Sequence, residues 1–246
     1  LHIATARGHA GVVALLIEKG AVVNQPGAGG TTPFYTAVQN GHTDVVALLL
    51  EKGAVVDRPV HGSYTPLHVA AARGHAGVVA LLLEKGAAID RPDKDDRTPL
   101  HIAAQYGHTG VVAKLLESGA DINHAMDDGT TPLHIAAQYG RAGVAALLIE
   151  KGAVVNQSDK NGKTPLYTAA QNNNPEVVAQ LLAAGADVNK VDNDGDTPLF
   201  IATELGNVNA IKALLEGGAT INRGFFDRSN PLSDKATKGG NEELAK

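Results

Sequence analysis

Residues 93–125 carry a pattern of apolar and polar positions that the rest of the chain repeats. Val111, Val112, Leu115 and Leu116 recur at three- and four-residue spacing, a single apolar stripe that predicts an amphipathic helix buried on one face. A shorter helix is predicted ahead of it. Thr98 is placed to cap that helix through its hydroxyl, and Pro99 fits the first helical position, where a missing N–H costs nothing. Gly107 can take the left-handed conformation just past its end, His108 and Thr109 turn the chain into the second helix, and Gly119 stops that one. Residues 120–129 then cross, through an extended stretch and a turn, to the next copy of the pattern.

The copies keep a fixed interval. Thr-Pro occurs at Thr32-Pro33, Thr65-Pro66, Thr98-Pro99, Thr131-Pro132, Thr164-Pro165 and Thr197-Pro198, always 33 residues apart. A further step lands on Asn230-Pro231, and a step back from Thr32 falls just before Leu1. A constant period of this length predicts stacked supersecondary units in place of one compact globule.

The segments TPLHVAAARGHAGVVALLLEKGAAID (65–90), TPLHIAAQYGHTGVVAKLLESGADIN (98–123) and TPLHIAAQYGRAGVAALLIEKGAVVN (131–156) closely resemble the ankyrin repeat. The resemblance spans nearly the whole chain. It implies a mainly α solenoid with short β-hairpins, each unit a β-hairpin followed by a helical hairpin, the β-hairpin lying at right angles to the helix pair. The expected division of residues 1–246 is a truncated first repeat over 1–26, six full repeats over 27–224, and a degenerate or partial capping repeat over 225–246. The resemblance also implies that hairpin tips and inner-helix surfaces form a concave groove holding a protein partner.

Departures from the pattern carry their own expectations. Asn173-Asn174-Pro175 replaces the usual Gly-His. Asn tolerates the left-handed conformation, Asn174 is placed to cap, and Pro175 falls at a first helical position. The turn glycine of Gly30, Gly129, Gly162 and Gly195 is replaced by Ser63 and Asp96, which predicts altered hairpin tips there without loss of a repeat. Phe225 and Phe226, at a tip of the last unit, are expected to fold back over the open end of the stack. Near-identity of the copies (GHAGVVALL occurs twice) fits a designed array or recent internal duplication, and the irregular NNNPE and FFDRSN stretches favour the second.

Composition narrows the picture. A net charge of −5 argues against a dedicated nucleic-acid binder, which should show a basic face. There is no cysteine, hence no disulfide framework and no thiolate metal site. Apolar runs such as Val78–Leu83 are too short to span a bilayer. Opening at Leu1 without Met, inside a Thr-Pro-Leu-His-like motif, suggests a fragment or trimmed chain.

Candidate chemistry dissolves into the repeat. Of ten histidines, His2, His68, His101 and His134 follow Thr-Pro-Leu or its remnant, and His9, His42, His75 and His108 follow the helix-ending glycine. Type follows structural position, so hydrogen bonding between neighbouring units is the expected role. The acidic run 192–196 resembles the start of a calcium loop, but the required Gly and Glu positions hold Thr197 and Thr203. The glycine-rich Pro26–Gly30 has neither a following Lys-Ser/Thr nor a complete dinucleotide fingerprint, and reads as a flexible tip. No nucleophile–base pair stands out, so no catalysis, cofactor or metal is expected.

Positions that vary among otherwise constant copies are free of scaffold duty. They are the residue before each Thr-Pro and the pair before the first helix ends. This selects Tyr64, Arg73, Arg97, Gln105, Tyr106, Gln138, Tyr139, Lys163 and Asn172 as candidate partner contacts. Tyr106 and Tyr139 are expected as neighbours in the middle of a ladder, flanked by Arg73 and Asn172, and Tyr and Arg are the side chains most often energetic at interfaces. The expected function is a monomeric, non-catalytic protein-interaction module of the cytoplasm, or of a host cell if delivered as a bacterial effector. The alternatives are a recruiting arm of a larger enzyme or effector, and a structural spacer.

Overall fold

A computed structural model describes residues 1–59 and 63–221. The last expected unit, 225–246, with Phe225, Phe226 and Asn230-Pro231, lies outside the described residues. The described helices come in pairs: α1 (His2–Ala6) with α2 (Ala10–Glu18), α3 (Pro33–Asn40) with α4 (Thr43–Glu51), α5 (Pro66–Arg73) with α6 (Ala76–Glu84), and α7 (Pro99–Tyr106) with α8 (Thr109–Glu117). Then follow α9 (Pro132–Gln138) with α10 (Ala142–Glu150), α11 (Pro165–Gln171) with α12 (Pro175–Ala183), and α13 (Pro198–Leu205) with α14 (Val208–Glu216). Leu1–Asp121 form one compact unit and a second begins at Ile122.

In the first unit, the first helices α1, α3, α5 and α7 pack side by side in chain order, and so do the second helices α2, α4, α6 and α8. In the second unit, α11 lies against α9 and α13, and α12 against α10 and α14. The core is the repeat's own stripe. Leu67, Ala70 and Ala71 of α5 and Val78, Val79 and Leu82 of α6 are fully enclosed, and their equivalents recur every 33 residues. Each enclosed leucine removes enough apolar surface to stabilise the fold by about 1.5–3 kcal/mol.

Local chemistry sets the helix ends. At α5, Thr65 Oγ1 accepts from the His68 N–H while the imidazole of His68 accepts at Nδ1 from the Thr65 N–H at 3.2 Å, a reciprocal cap with histidine in the place usually held by glutamate. Gly74 ends α5 at φ 74°, and a Cβ there would lie 2.8 Å from Nδ1 of His108. That histidine opens α8 and sends its Nε2 to the Ala72 carbonyl of the preceding pair at 3.0 Å. His75 does the same with Gln39, and His42 with Ala6, at 3.1 Å each.

Asn173 does adopt a left-handed φ of 54°, as its register requires. Asn174 does not cap α12 with its side chain. It donates back to the Ala137 and Gln138 carbonyls at 2.8 and 3.1 Å, taking over the link made elsewhere by histidine.

The hairpins are tight loops. At the tip 93–97, Asp93 N–H donates to the Arg97 carbonyl (2.9 Å) and Asp96 N–H to the Asp93 carbonyl (3.2 Å). The same pair of bonds closes the tips at 126–130, 159–163 and 192–196. This is a turn followed by one left-handed residue. Among the described residues the two bonds per tip are too short a run to register as a strand ladder. Asp96 sits at φ 62°, so the expected alteration of this tip does not occur in the backbone: aspartate tolerates the conformation that glycine holds in the other copies. The tip near Ser63 includes residues 60–62, outside the described residues.

A second line of links joins successive loops. Asp57 accepts from Ala88 N–H and Asp90 from Asp121 N–H in the first unit, both at 3.1 Å. In the second, Asn123, Asn156 and Asn189 accept from the amides of Val154, Asp187 and Thr220 at 2.9–3.1 Å.

Candidate partner-binding surface

Within each unit the 33-residue period places equivalent side chains of successive first helices beside one another, with the residue before each Thr-Pro next to their N-termini. In the first unit three of the expected contact residues converge. Tyr64, Arg73 and Tyr106, together with Tyr35, Gln39, Val69 and Ala72, line a recess of about 280 Å³.

Each wall has a local reason for its place. Tyr35 is the third residue of α3, where other copies carry the Thr-Pro-Leu-His histidine; its N–H donates to Thr32 Oγ1 at 3.2 Å. Burial raises its phenol pKa, with Arg73 pulling the other way. Tyr64 immediately precedes the cap Thr65, and its ring lies 5.1 Å from that of His68. Burial, reinforced by Tyr106, pushes its hydroxyl up to about 12. Tyr106 ends α7 with about half of its surface exposed (51%) and its ring stacked on His108 at 6.2 Å. Arg73 ends α5, exposed, and makes no ion pair among the described residues.

The remaining candidates are placed differently. Arg97 is committed to its own tip: Nε and Nη2 donate to Asp93 Oδ2 at 3.1 and 2.8 Å, and Nη2 reaches Asp95 at 3.2 Å. Burial works to raise the Asp93 pKa, but hydrogen bonds from the side chain and backbone of Arg97 and the backbone of Asp95 outweigh it and hold the carboxyl below its usual range. Gln105 is half-buried beside Tyr106.

In the second unit, Gln138 and Tyr139 are exposed at the end of α9, Tyr139 at 43%. Lys163 lies with Nζ 5.3 Å from the centre of the Tyr167 ring, a cation–π contact. Asn172 donates to the Thr168 carbonyl at 2.9 Å, within its own helix.

Variation among the copies covers the register of Gln39, in the pair before the first helix ends, but does not single out Tyr35. Tyr35 occupies a register read as scaffold, and the available signal is that Tyr35 and Tyr167 replace histidine there. Tyr167 is a structural counterpart, buried and bonded to Asp192, with its phenol pKa raised by that burial and then by the carboxylate.

A second recess of about 480 Å³ lies between α6 and α8, lined by Ala80, Leu83, Glu84, Ala87, Ile89, Lys114 and Ser118. It has no aromatic wall, and its Lys114 is paired with Glu117 at 2.6 Å. Among the described residues no group of three histidine or carboxylate side chains is arranged to hold a metal ion, and no helix is long and apolar enough to cross a membrane.

A sequence profile of ankyrin repeats (three copies) matches residues 1–60, 58–126, 123–192, 153–225 and 174–246. A search of curated proteins found no match. Among solved structures, the human ASB11 ankyrin repeat domain is 30% identical, with 90% of this chain and 98% of that one covered and a TM-score of 0.80. Helix pairs at a constant period agree with these two matches, and the chain belongs to the ankyrin-repeat family, whose domains are generally protein-interaction modules.

Proposed function

We propose that the chain is a non-catalytic protein-interaction module whose partner contacts the ends of the first helices and the hairpin tips. The observation that supports this reading is the convergence of Tyr35, Tyr64, Arg73 and Tyr106 on one recess. A rigid scaffold offers these side chains with little ordering cost, so a few of them can set affinity. The exposed Tyr139 gives the second unit an aromatic contact at the equivalent position of its own helix. The second helices repeat nearly unchanged (VVALLIEKG, VVALLLEKG, VAALLIEKG), which suits stacking better than recognition.

The test is affinity capture with the full chain, identification of the bound protein, and titration of that protein against variants. Tyr64→Ala and Tyr106→Ala should each weaken binding by about thirtyfold, the loss of roughly 2 kcal/mol typical of a central aromatic contact. Tyr139→Ala should weaken it as well. Glu51→Ala with Glu84→Ala, at the ends of α4 and α6, should change little. Normal binding by the tyrosine variants, with loss in the glutamate pair, would sink the reading.

A further inference from the structure

Building on the interaction reading above, we infer that the recess among Tyr35, Tyr64, Arg73 and Tyr106 is a subsite for a carboxylate side chain on an extended acidic segment of the partner protein. Arg73 is exposed and has no carboxylate beside it, whereas the nearby Arg97 is neutralised by Asp93 and Asp95. The helix-borne acids of this unit stand elsewhere: Glu18, Glu51, Glu84 and Glu117 close the second helices, and Asp44 opens one. Asp93 is within electrostatic reach of Tyr64 but is already paired with Arg97, so Arg73 leaves the recess a cationic spot in a chain whose net charge is −5.

Donors come next. Among the described residues the hydroxyls of Tyr35, Tyr64 and Tyr106 find no acceptor, so three phenolic O–H groups and one guanidinium surround the same space without an internal oxygen to serve. Burial keeps Tyr35 and Tyr64 protonated well above neutral pH, so they remain donors. Charge-assisted hydrogen bonds from such groups to a carboxylate are about twice as strong as neutral ones.

Shape selects among occupants. Val69 and Ala72 are the apolar members of the lining, suited to the methylene stem of Glu or Asp, and about 280 Å³ admits a side chain with its flanking backbone rather than a folded domain. An ammonium or guanidinium would meet Arg73. A purely apolar occupant would take Arg73 and the phenols out of water with nothing in exchange, a net cost.

The experiment pans the full chain against a displayed library of unconstrained linear peptides and measures the enriched sequences by fluorescence anisotropy. Enriched peptides should share an Asp or Glu. Changing it to Asn or Gln should weaken binding about tenfold, as the loss of a charge-assisted contact does. Arg73→Gln should give a similar loss, and combining the two changes should add little, since both remove one interaction. Tyr64→Phe should weaken binding several-fold with circular dichroism and melting unchanged, and Lys85→Gln, at the end of α6, should have no effect.

Enriched peptides that need no carboxylate, or that bind Arg73→Gln as well as the parent, overturn the inference, and so does a failure to enrich any peptide. Peptides that lack a required carboxylate but lose affinity with Tyr106→Ala would overturn only the acidic occupant and leave the interaction reading standing. A captured partner indifferent to Tyr64→Ala and Tyr106→Ala would remove that reading itself.

Discussion

At the scale of the residue, the bonds around His68 require a neutral imidazole with its hydrogen on Nε2. Nδ1 accepts from the amide and hydroxyl of Thr65, at 3.2 and 2.8 Å, and Nε2–H donates to the Arg97 carbonyl of the next pair at 3.0 Å. His134 repeats the arrangement with Thr131 and Lys163. A proton on Nδ1 would face an N–H donor and break the cap. Burial lowers the pKa of both imidazoles below the ordinary 6.5, against the pull of the carbonyl each one donates to. The unfolded chain therefore takes up protons first on acidification. The stabilising contribution is complete above pH 6.5 and is lost as pH falls through the lower folded value. Asp93, also depressed, adds a loss of the same sign beginning only near its ordinary 3.8. Urea midpoints measured from pH 7.5 downward should thus fall, starting near 6.5, and His68→Gln with His134→Gln should flatten that slope. At neutral pH, His68→Ala should cost about 2 kcal/mol, because it removes the imidazole's bonds to the Thr65 cap and its link to the Arg97 carbonyl, which then keeps only the Asp93 N–H. An unchanged midpoint would contradict the linking role.

At the scale of the element, helix ends decide which changes are tolerated. Gly74→Ala forces both a left-handed alanine and a collision with the His108 ring, so it should destabilise by more than the ~1 kcal/mol of conformational strain alone. Asn173 gives a finer comparison. Its left-handed φ costs about 1 kcal/mol relative to glycine, but its Oδ1 accepts from the Ala210 N–H at 3.2 Å in the first turn of α14. Asn173→Gly relieves the strain and forfeits a cap of similar size, and should be nearly neutral by urea denaturation. Asn173→Ala loses the cap and keeps the strain, and should be clearly destabilised. These ends also explain what the sequence disclosed. The first helices from α3 onward were legible because Thr-Pro and a left-handed residue mark both boundaries of each. The start of α12 was legible, but the job of Asn174 was not, because its acceptors lie 36 and 37 residues back. At the recess, Tyr64, Arg73 and Tyr106 were found because they vary among constant neighbours, and Tyr35 was missed because it stands in a scaffold register. Variation alone could not show that Arg97 is held by Asp93, or Lys163 by Tyr167: each commitment is made four residues away, by a folded tip or the first turn of a helix.

At the scale of the whole molecule, stability is spread over interfaces between successive pairs, with no single centre. Deleting residues 66–98 removes one period inside the first unit and joins Thr65 to Pro99, restoring a Thr-Pro helix start. The shortened chain should remain folded, with helical ellipticity reduced in proportion to the residues lost, a lower urea midpoint and a shallower unfolding slope, since less surface is exposed. Collapse to a random-coil spectrum would contradict this view. The links between pairs also have fixed lengths in sequence: 29 residues from His68 to Arg97, 31 from Asp90 to Asp121, 36 from Gln39 to His75. They act together as a ruler laid along the gene. A slip of one codon between two linked positions moves all three sets of partners out of reach, whereas the gain or loss of a whole period returns every donor to an equivalent acceptor. Heritable change in length is thereby filtered into whole units, and an array of this kind can grow or shrink by recombination between its own copies without first evolving a new interface.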